Sequence, residues 1–160
     1  MMRVWRIAAD APTYTADDLT GTGAKLSGGR WNRKGTPVIY AASNRALACL
    51  ETMVHLNVAD LPLNRYLVEL VIPEKLFAAA ARFDAQHHVG WDAIPEGLVS
   101  LEAGQGWIKK STSAVMIVPS VIVPEEFNVL INPAHPDARA ITANKVRKWL
   151  YPRPRVHTVR

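Results

Sequence analysis

A chain of 160 residues, 49% hydrophobic and 21% charged, is long enough to bury a real core as one domain, and this composition excludes a disordered or fibrous class. A single cysteine, Cys49, excludes an internal disulfide and points to a reducing compartment, no apolar run approaches the ~20 residues of a membrane span, and the opening MMRVWRIAAD lacks the apolar stretch of a signal peptide, so the cytoplasm is the expected location. The net charge of +5 and pI of 9.6 suit a polyanionic partner such as nucleic acid, a nucleotide or an acidic protein surface, without choosing among them.

The alternation of Val4 and Arg6 against Trp5 and Ile7 predicts a half-buried strand over Arg3 to Ala8. Pro12 and the Thr/Asp/Gly-rich stretch up to Gly23 predict a loop. Gly28 and Gly29 then present Arg30 and Trp31, Gly35 and Pro37 mark a turn, and Val38 to Ala42 reads as a short strand carrying Tyr40. Ser43 or Asn44 is placed to cap a helix from Arg45 to Leu56, which holds strong helix formers and neither Pro nor Gly. Tyr66 to Ile72 is a second core strand, stopped by Pro73, which suits the first position of a short turn. A helix is expected around Val99 to Ile108, weakened by Gly104 and Gly106. Ala114 to Val118, Val121 to Val123 and Asn128 to Ile131 are strand-like, Ser120 lies on the bend between the first two, and Asn132-Pro133 and His135-Pro136 are rigid turns. Ile141 to Tyr151 fits either helix or strand. Lys145, Arg147, Lys148, Arg153, Arg155 and Arg160 make this last part basic, which a solvated terminus explains as well as a binding patch does. With no repeat and no linker, residues 1–160 are expected to form a single domain.

On the helix that follows Asn44, Leu50, Val54 and Val58 fall within roughly 60° of Leu47 at about 100° per residue and form an apolar stripe with it. Glu51 lies inside that stripe. Burying it draws a carboxylate to the edge of the core, which is costly unless the charge is paired or lines a cleft. A buried Glu–Arg structural pair and a catalytic carboxylate are the two readings. Other chemistry finds little support. Cys49 and His55 point apart on the helix, and Cys49 reads as a small packing residue. The adjacent His87 and His88 cannot share a face, there is no HExxH and no zinc spacing, and no Walker A glycine loop is present, so no metal is expected. Ser111-Thr112-Ser113 reads as a capping or turn segment.

Arg30 in GGRWN, Tyr40 in VIYAAS, Glu51 in ALACLETMVH and Ser120 in VPSVIVPEEFNVLINPAHP remain, and in that order they resemble the RES family, named for an arginine, a glutamate and a serine. The resemblance spans roughly Arg3 to His135. It implies an α+β domain with a small central β-sheet akin to the ADP-ribosyltransferase fold. It also implies the toxin of a bacterial type II toxin–antitoxin pair, with an Xre-like antitoxin as partner. Members consume NAD as a substrate, either as phosphorylases or glycohydrolases or by transferring ADP-ribose to a protein, phosphoribosyl pyrophosphate synthetase among the acceptors.

These residue types suit that chemistry. Breaking the ribosyl–nicotinamide bond builds positive charge on the sugar, which a carboxylate hydrogen-bonded to the ribose hydroxyls stabilises, and Glu51 is the candidate. Arg30 offers a planar fork to a pyrophosphate, Tyr40 a ring to the nicotinamide, and Ser120 a hydroxyl to the carboxamide or a ribose oxygen. The rival is a basic nucleic-acid-binding protein or ribonuclease toxin. It rests on the pI and the cationic tail, with Glu51–His55 the one pair that could supply ribonuclease chemistry; no nucleic-acid motif supports it, and direct nucleic-acid or membrane contact is not expected.

Overall fold

Apolar side chains at every second position make Met2–Ala9 (β1) and Arg65–Ile72 (β3) the central antiparallel pair, in register from Met2 opposite Ile72 to Ala9 opposite Arg65. The computed structural model describes residues 1–56 and 61–153. Around that pair the chain builds one seven-stranded sheet, completed by Ile39–Ala42 (β2), Ala81–Arg82 (β4), Val115–Pro119 (β5), Phe127–Ile131 (β6) and Thr142–Lys148 (β7). The order across it is β4-β5-β6-β2-β1-β3-β7, antiparallel throughout except for β4 against β5. With its helices this is the expected α+β architecture.

Val4, Ile39, Ala41, Val68, Leu70, Val115, Val129 and Ile131 form one buried face of the sheet. Glu74–Ala78 (α3) packs on it through Leu76 and Phe77, and the 10–20 loop through Ala16. Arg6 ties that loop down by donating from Nη2 to the Ala16 carbonyl at 2.6 Å. The opposite face is covered in two parts. Trp5, Ile7, Ala42 and Leu67 receive the helix Arg45–Met53 (α2), while Met116, Val118 and Leu130 receive Trp31, Trp91 and the helix Leu98–Lys110 (α4) through Trp107.

The helix α2 starts where expected, with Asn44 as its cap accepting from Leu47 N–H at 2.8 Å, but ends at Met53 rather than Leu56. Its inward face also differs from the expected stripe. Leu47, Ala48 and Cys49 are buried, whereas Leu50 is 36% and Val54 57% exposed; Val58 lies outside the described residues. Small side chains at Ala48 and Cys49 let the helix lie close to the sheet, and Arg45 stacks 3.8 Å above the Trp5 ring, so the helix is turned by about 100° from the stripe's centre. Glu51, between Leu47 and Ala48 in angle, stays on the inward side after that rotation.

Three further expectations change. Thr22–Ser27 forms a short helix (α1) that begins at the end of the stretch read as loop up to Gly23. Residues 121–123 bend instead of forming a strand, and Pro73 caps α3 instead of opening it. The ambiguous tail becomes β7, an edge strand, with Lys145 held by Asp10 at 2.9 Å; Arg155 and Arg160 lie outside the described residues.

Gly104 and Gly106 sit within α4 and do not break it. A Cβ on Gly104 would lie 1.9 Å from the Trp31 carbonyl oxygen, whereas one on Gly106 would meet nothing within 4 Å. Gly104 thus lets the helix touch the backbone next to Arg30. Gly104→Ala is expected to destabilise the fold by about 1–3 kcal/mol in urea unfolding. Gly106→Ala should stabilise it by roughly 0.5–1 kcal/mol, because only helix propensity changes there.

Candidate active site

Three segments distant in sequence meet at the Glu51 carboxylate. Ser120, just past the end of β5, donates from Oγ to Glu51 Oε1 at 2.6 Å, and Asn128 on β6 donates from Nδ2 to the same oxygen at 2.7 Å. Among the described residues Oε2 has no partner, and Glu51 is half-buried. One carboxylate oxygen is therefore fixed and the other open. Asn44 adds a second tie between α2 and the bend, since its Nδ2 donates to Glu126 Oε2 at 3.0 Å while its Oδ1 caps the helix.

Ser120 has no exposed surface, and its hydroxyl also accepts from the Ile122 and Val123 N–H groups, each at 3.1 Å. With its one donor and both lone pairs used, it has nothing left for a ligand in this arrangement. Its geometry is that of a residue that holds Glu51.

The Arg30 loop is built from β2 outward. The Tyr40 hydroxyl accepts from Trp31 N–H at 3.1 Å and donates to Asn32 Oδ1 at 2.7 Å. Asn32, only 1% exposed, donates onward to the carbonyls of Ala24 at 2.9 Å and Thr36 at 3.0 Å, binding the loop into a unit. Gly29 is required for this closeness, since a Cβ there would stand 2.9 Å from the Tyr40 oxygen. Arg30 itself donates from Nη1 to the carbonyls of Trp91 at 3.0 Å and Ala93 at 2.9 Å. Its Nε and Nη2 have no partner among the described residues.

The sheet register brings the two halves to one side. Tyr40 is opposite Leu130 and Ala42 opposite Asn128, so Tyr40 and Asn128 are diagonal neighbours on the same face, roughly 7–8 Å apart along the backbone. They occupy the strip between the part of that face covered by α2 and the part covered by α4. Arg30 and Glu51 are not paired with each other, and among the described residues each is held by neutral groups and no Glu51–arginine bridge forms. Two surface hollows of about 500 and 390 Å³ lie along α4, by His88 and Glu102, and none of Arg30, Tyr40, Glu51 and Ser120 lines them.

Other residues settle into structural places. Cys49 packs beneath α2, and burial pushes its thiol up, which disfavours a thiolate nucleophile. His55 lies beyond the end of α2 and is exposed, while Glu51 bonds elsewhere. Ser111 caps α4, and Ser113 accepts from Trp107 Nε1 at 2.9 Å, as a capping and turn segment should. No helix among the described residues is long and apolar enough to cross a membrane.

Comparison with known proteins matches the RES domain family over residues 3–154. The chain belongs to the RES domain family. It is 61% identical over 148 residues, 92% of each chain, to a Sphingobium protein named "Prs ADP-ribosylating toxin". It is also 36% identical over 141 residues, 87% of this chain and 90% of the other, to a "Toxin Res" of Pseudomonas putida, and 35% identical over 122 residues to one of Yersinia enterocolitica, 76% and 79% of the two chains. This is the family that the residues around Arg30, Tyr40, Glu51 and Ser120 resemble.

Asn32 and Asn128, which hold the Tyr40 hydroxyl and the Glu51 carboxylate, were not singled out by reading the sequence. Both lie within the stretches that carry the resemblance. The available signal was an amide in an otherwise apolar strand, on the face shared with Leu130, and one beside Arg30 in a loop rich in donors and acceptors.

Burial pushes the Tyr40 phenol up, so in the folded protein it resists an ionisation that the unfolded chain undergoes near pH ~10. The stabilising contribution of a raised group is complete below its unfolded value and is lost as pH rises through the folded one. Tyr40→Phe should cost about 1–2 kcal/mol at neutral pH, because Trp31 N–H and Asn32 Oδ1 lose their partner. Above pH ~10 the difference from wild type should shrink, as followed by urea midpoints across pH.

Proposed function

We propose that this RES-domain protein is an NAD-dependent ADP-ribosyltransferase and the toxin of a toxin–antitoxin pair, acting in the cytoplasm. The observation that carries the reading is the Glu51 carboxylate held through Oε1 by Ser120 and Asn128, with Oε2 open. The family match and the name of the 61% identical relative support it.

In this reading NAD is the substrate. The bond from ribose C1′ to the nicotinamide nitrogen breaks, its electron pair neutralises the ring, and positive charge passes to the sugar. Glu51 Oε2 faces the ribose hydroxyls and stabilises that charge as it forms. The open Nε and Nη2 of Arg30 form a fork for the pyrophosphate, and the two carbonyls that hold Nη1 fix its direction. Tyr40 keeps its hydroxyl on the loop and offers the flank of its ring to the nicotinamide. Ser120 acts through Glu51 and not on the ligand. The acceptor is a protein, with phosphoribosyl pyrophosphate synthetase the first to try, and an Xre-like antitoxin is the partner that restrains the toxin.

The ribonuclease reading gains nothing from the helix, since no hydrogen bond joins Glu51 to His55 among the described residues. Purified protein incubated with NAD, with or without the candidate acceptor and with phosphate or water alone, should release nicotinamide. Label from the adenylate half should follow the acceptor in the first arm. No nicotinamide in any arm would remove the enzyme reading, and cleavage of RNA in its place would favour the rival.

Glu51→Gln keeps an acceptor for Ser120 and Asn128 while removing the charge. It should fold normally and lose roughly 3 kcal/mol of transition-state stabilisation, on the order of a hundredfold in nicotinamide release. Arg30→Lys retains the charge but loses the fork, so calorimetry should show weaker NAD binding than wild type.

A further inference from the structure

Glu51 Oε1 is shared by two donors, and only one of them, Ser120, belongs to the expected set. The other comes from a more rigid place. Asn128 lies inside β6, paired to Ala42 of β2 on one side and to Val118 of β5 on the other, whereas Ser120 sits on the bend beyond β5. A side chain rooted in a strand with neighbours on both sides defines a position better than one on a bend. The amide's orientation carries a penalty that reveals what fixes it. Asn128 Oδ1 is buried and without a hydrogen-bond partner among the described residues, an arrangement that folded proteins avoid. Turning the amide over would set that oxygen against the carboxylate oxygen now 2.7 Å from Nδ2, two acceptors in contact. The carboxylate therefore dictates the orientation, and the orphaned Oδ1 is its consequence.

We propose that Asn128 is a positioning residue for the reaction, fixing the plane of the Glu51 carboxylate so that Oε2, and not Oε1, meets the ribose. This rests on the reading of Glu51 as the catalytic carboxylate. Asn128 makes no contact with the pyrophosphate or the nicotinamide in this scheme. Its loss acts on turnover and leaves NAD binding intact. Ser120 alone leaves the carboxylate free to swing about a single hydrogen bond.

Two substitutions test this. Asn128→Leu removes the donor at similar size, and kcat for nicotinamide release should fall by roughly ten- to a hundredfold with KM for NAD unchanged. Asn128→Asp is isosteric but faces Glu51 with a second acceptor, and the repulsion between two carboxylates so close raises the pH at which the pair takes up a proton. The nearby Glu126 is engaged with Asn44, so the shared proton belongs to Glu51 and the introduced carboxyl. Lowering the pH from about 8 to about 5.5 should supply that proton, restore a donor and recover activity in Asn128→Asp relative to wild type, while the Asn128→Leu ratio stays flat. A purely structural role predicts no such difference. Wild-type kcat in a folded Asn128→Leu or Asn128→Asp protein, or a rise in KM without loss of kcat, would overturn the proposal.

A readout independent of turnover separates this from the broader functional reading. In thermal unfolding, the melting-temperature losses of Glu51→Ala and Asn128→Leu should fail to add in the double variant, because each removes one side of the same hydrogen bond. Non-additive losses with no nicotinamide release from wild type would mean that the enzyme reading fails while the contact stands. Additive losses would remove Asn128 from Glu51 whatever the activity.

Discussion

A carboxylate at the inward edge of a helix must be satisfied, and in this chain its partners come from 69 and 77 residues away. Placing Glu51 therefore couples α2 to the end of β5 and to the middle of β6, and no one of these segments can move without disturbing the other two. The helix is anchored from its start as well, because Asn44 both caps α2 and reaches Glu126 on the same bend. Leaving Glu51 unpaired at this depth would cost more than one hydrogen bond returns, so correct pairing of β5 with β6 is a condition for a stable α2.

The Arg30 loop follows the same rule with the opposite charge. Its guanidinium rests on two backbone carbonyls, and the loop behind it is held by the Tyr40 hydroxyl and the buried Asn32 amide. Neither Arg30 nor Glu51 is neutralised by an opposite charge among the described residues. An ion pair between them would have spent both charges on each other. Dipoles hold these groups in direction and leave their charge to act on a ligand, which is the arrangement that electrostatic catalysis requires.

The strands were legible because alternation and β-branched runs report burial directly: β1, β3, β5 and β6 lie close to where the pattern puts them. The helix α2 was legible in place but not in rotation. Leu50 and Val54 are more hydrophobic than Ala48 and Cys49, yet the small pair faces inward and packs with Leu47, Trp5 and Ala42 in one buried cluster. Glu51 kept its inward position only because it lies within the arc common to both rotations. Asn32 and Asn128 carried only a weak signal, an amide in an apolar strand and one beside Arg30, which becomes specific when pairing places them beside Tyr40 and Glu51. Gly104 was misleading for a similar reason: propensity counts it against the helix, and the contact that requires it, with Trp31, lies more than 70 residues away in the chain.

The basic excess invites a polyanion, but the strand order limits what it can do at Glu51. Lys145, Arg147 and Lys148 lie on β7, four strands from β6, or about 19 Å at ~4.8 Å per strand. That is beyond the ~8 Å over which exposed charges act at physiological salt. Lys145 is further spoken for, bonded to both oxygens of Asp10 and lying 4.4 Å from the Tyr66 ring centre. Cations on an exposed edge strand also discourage another strand from pairing there. The charge of β7 thus serves the sheet's edge, and in the proposed reaction the anion falls to Arg30, whose Nε and Nη2 have no partner among the described residues.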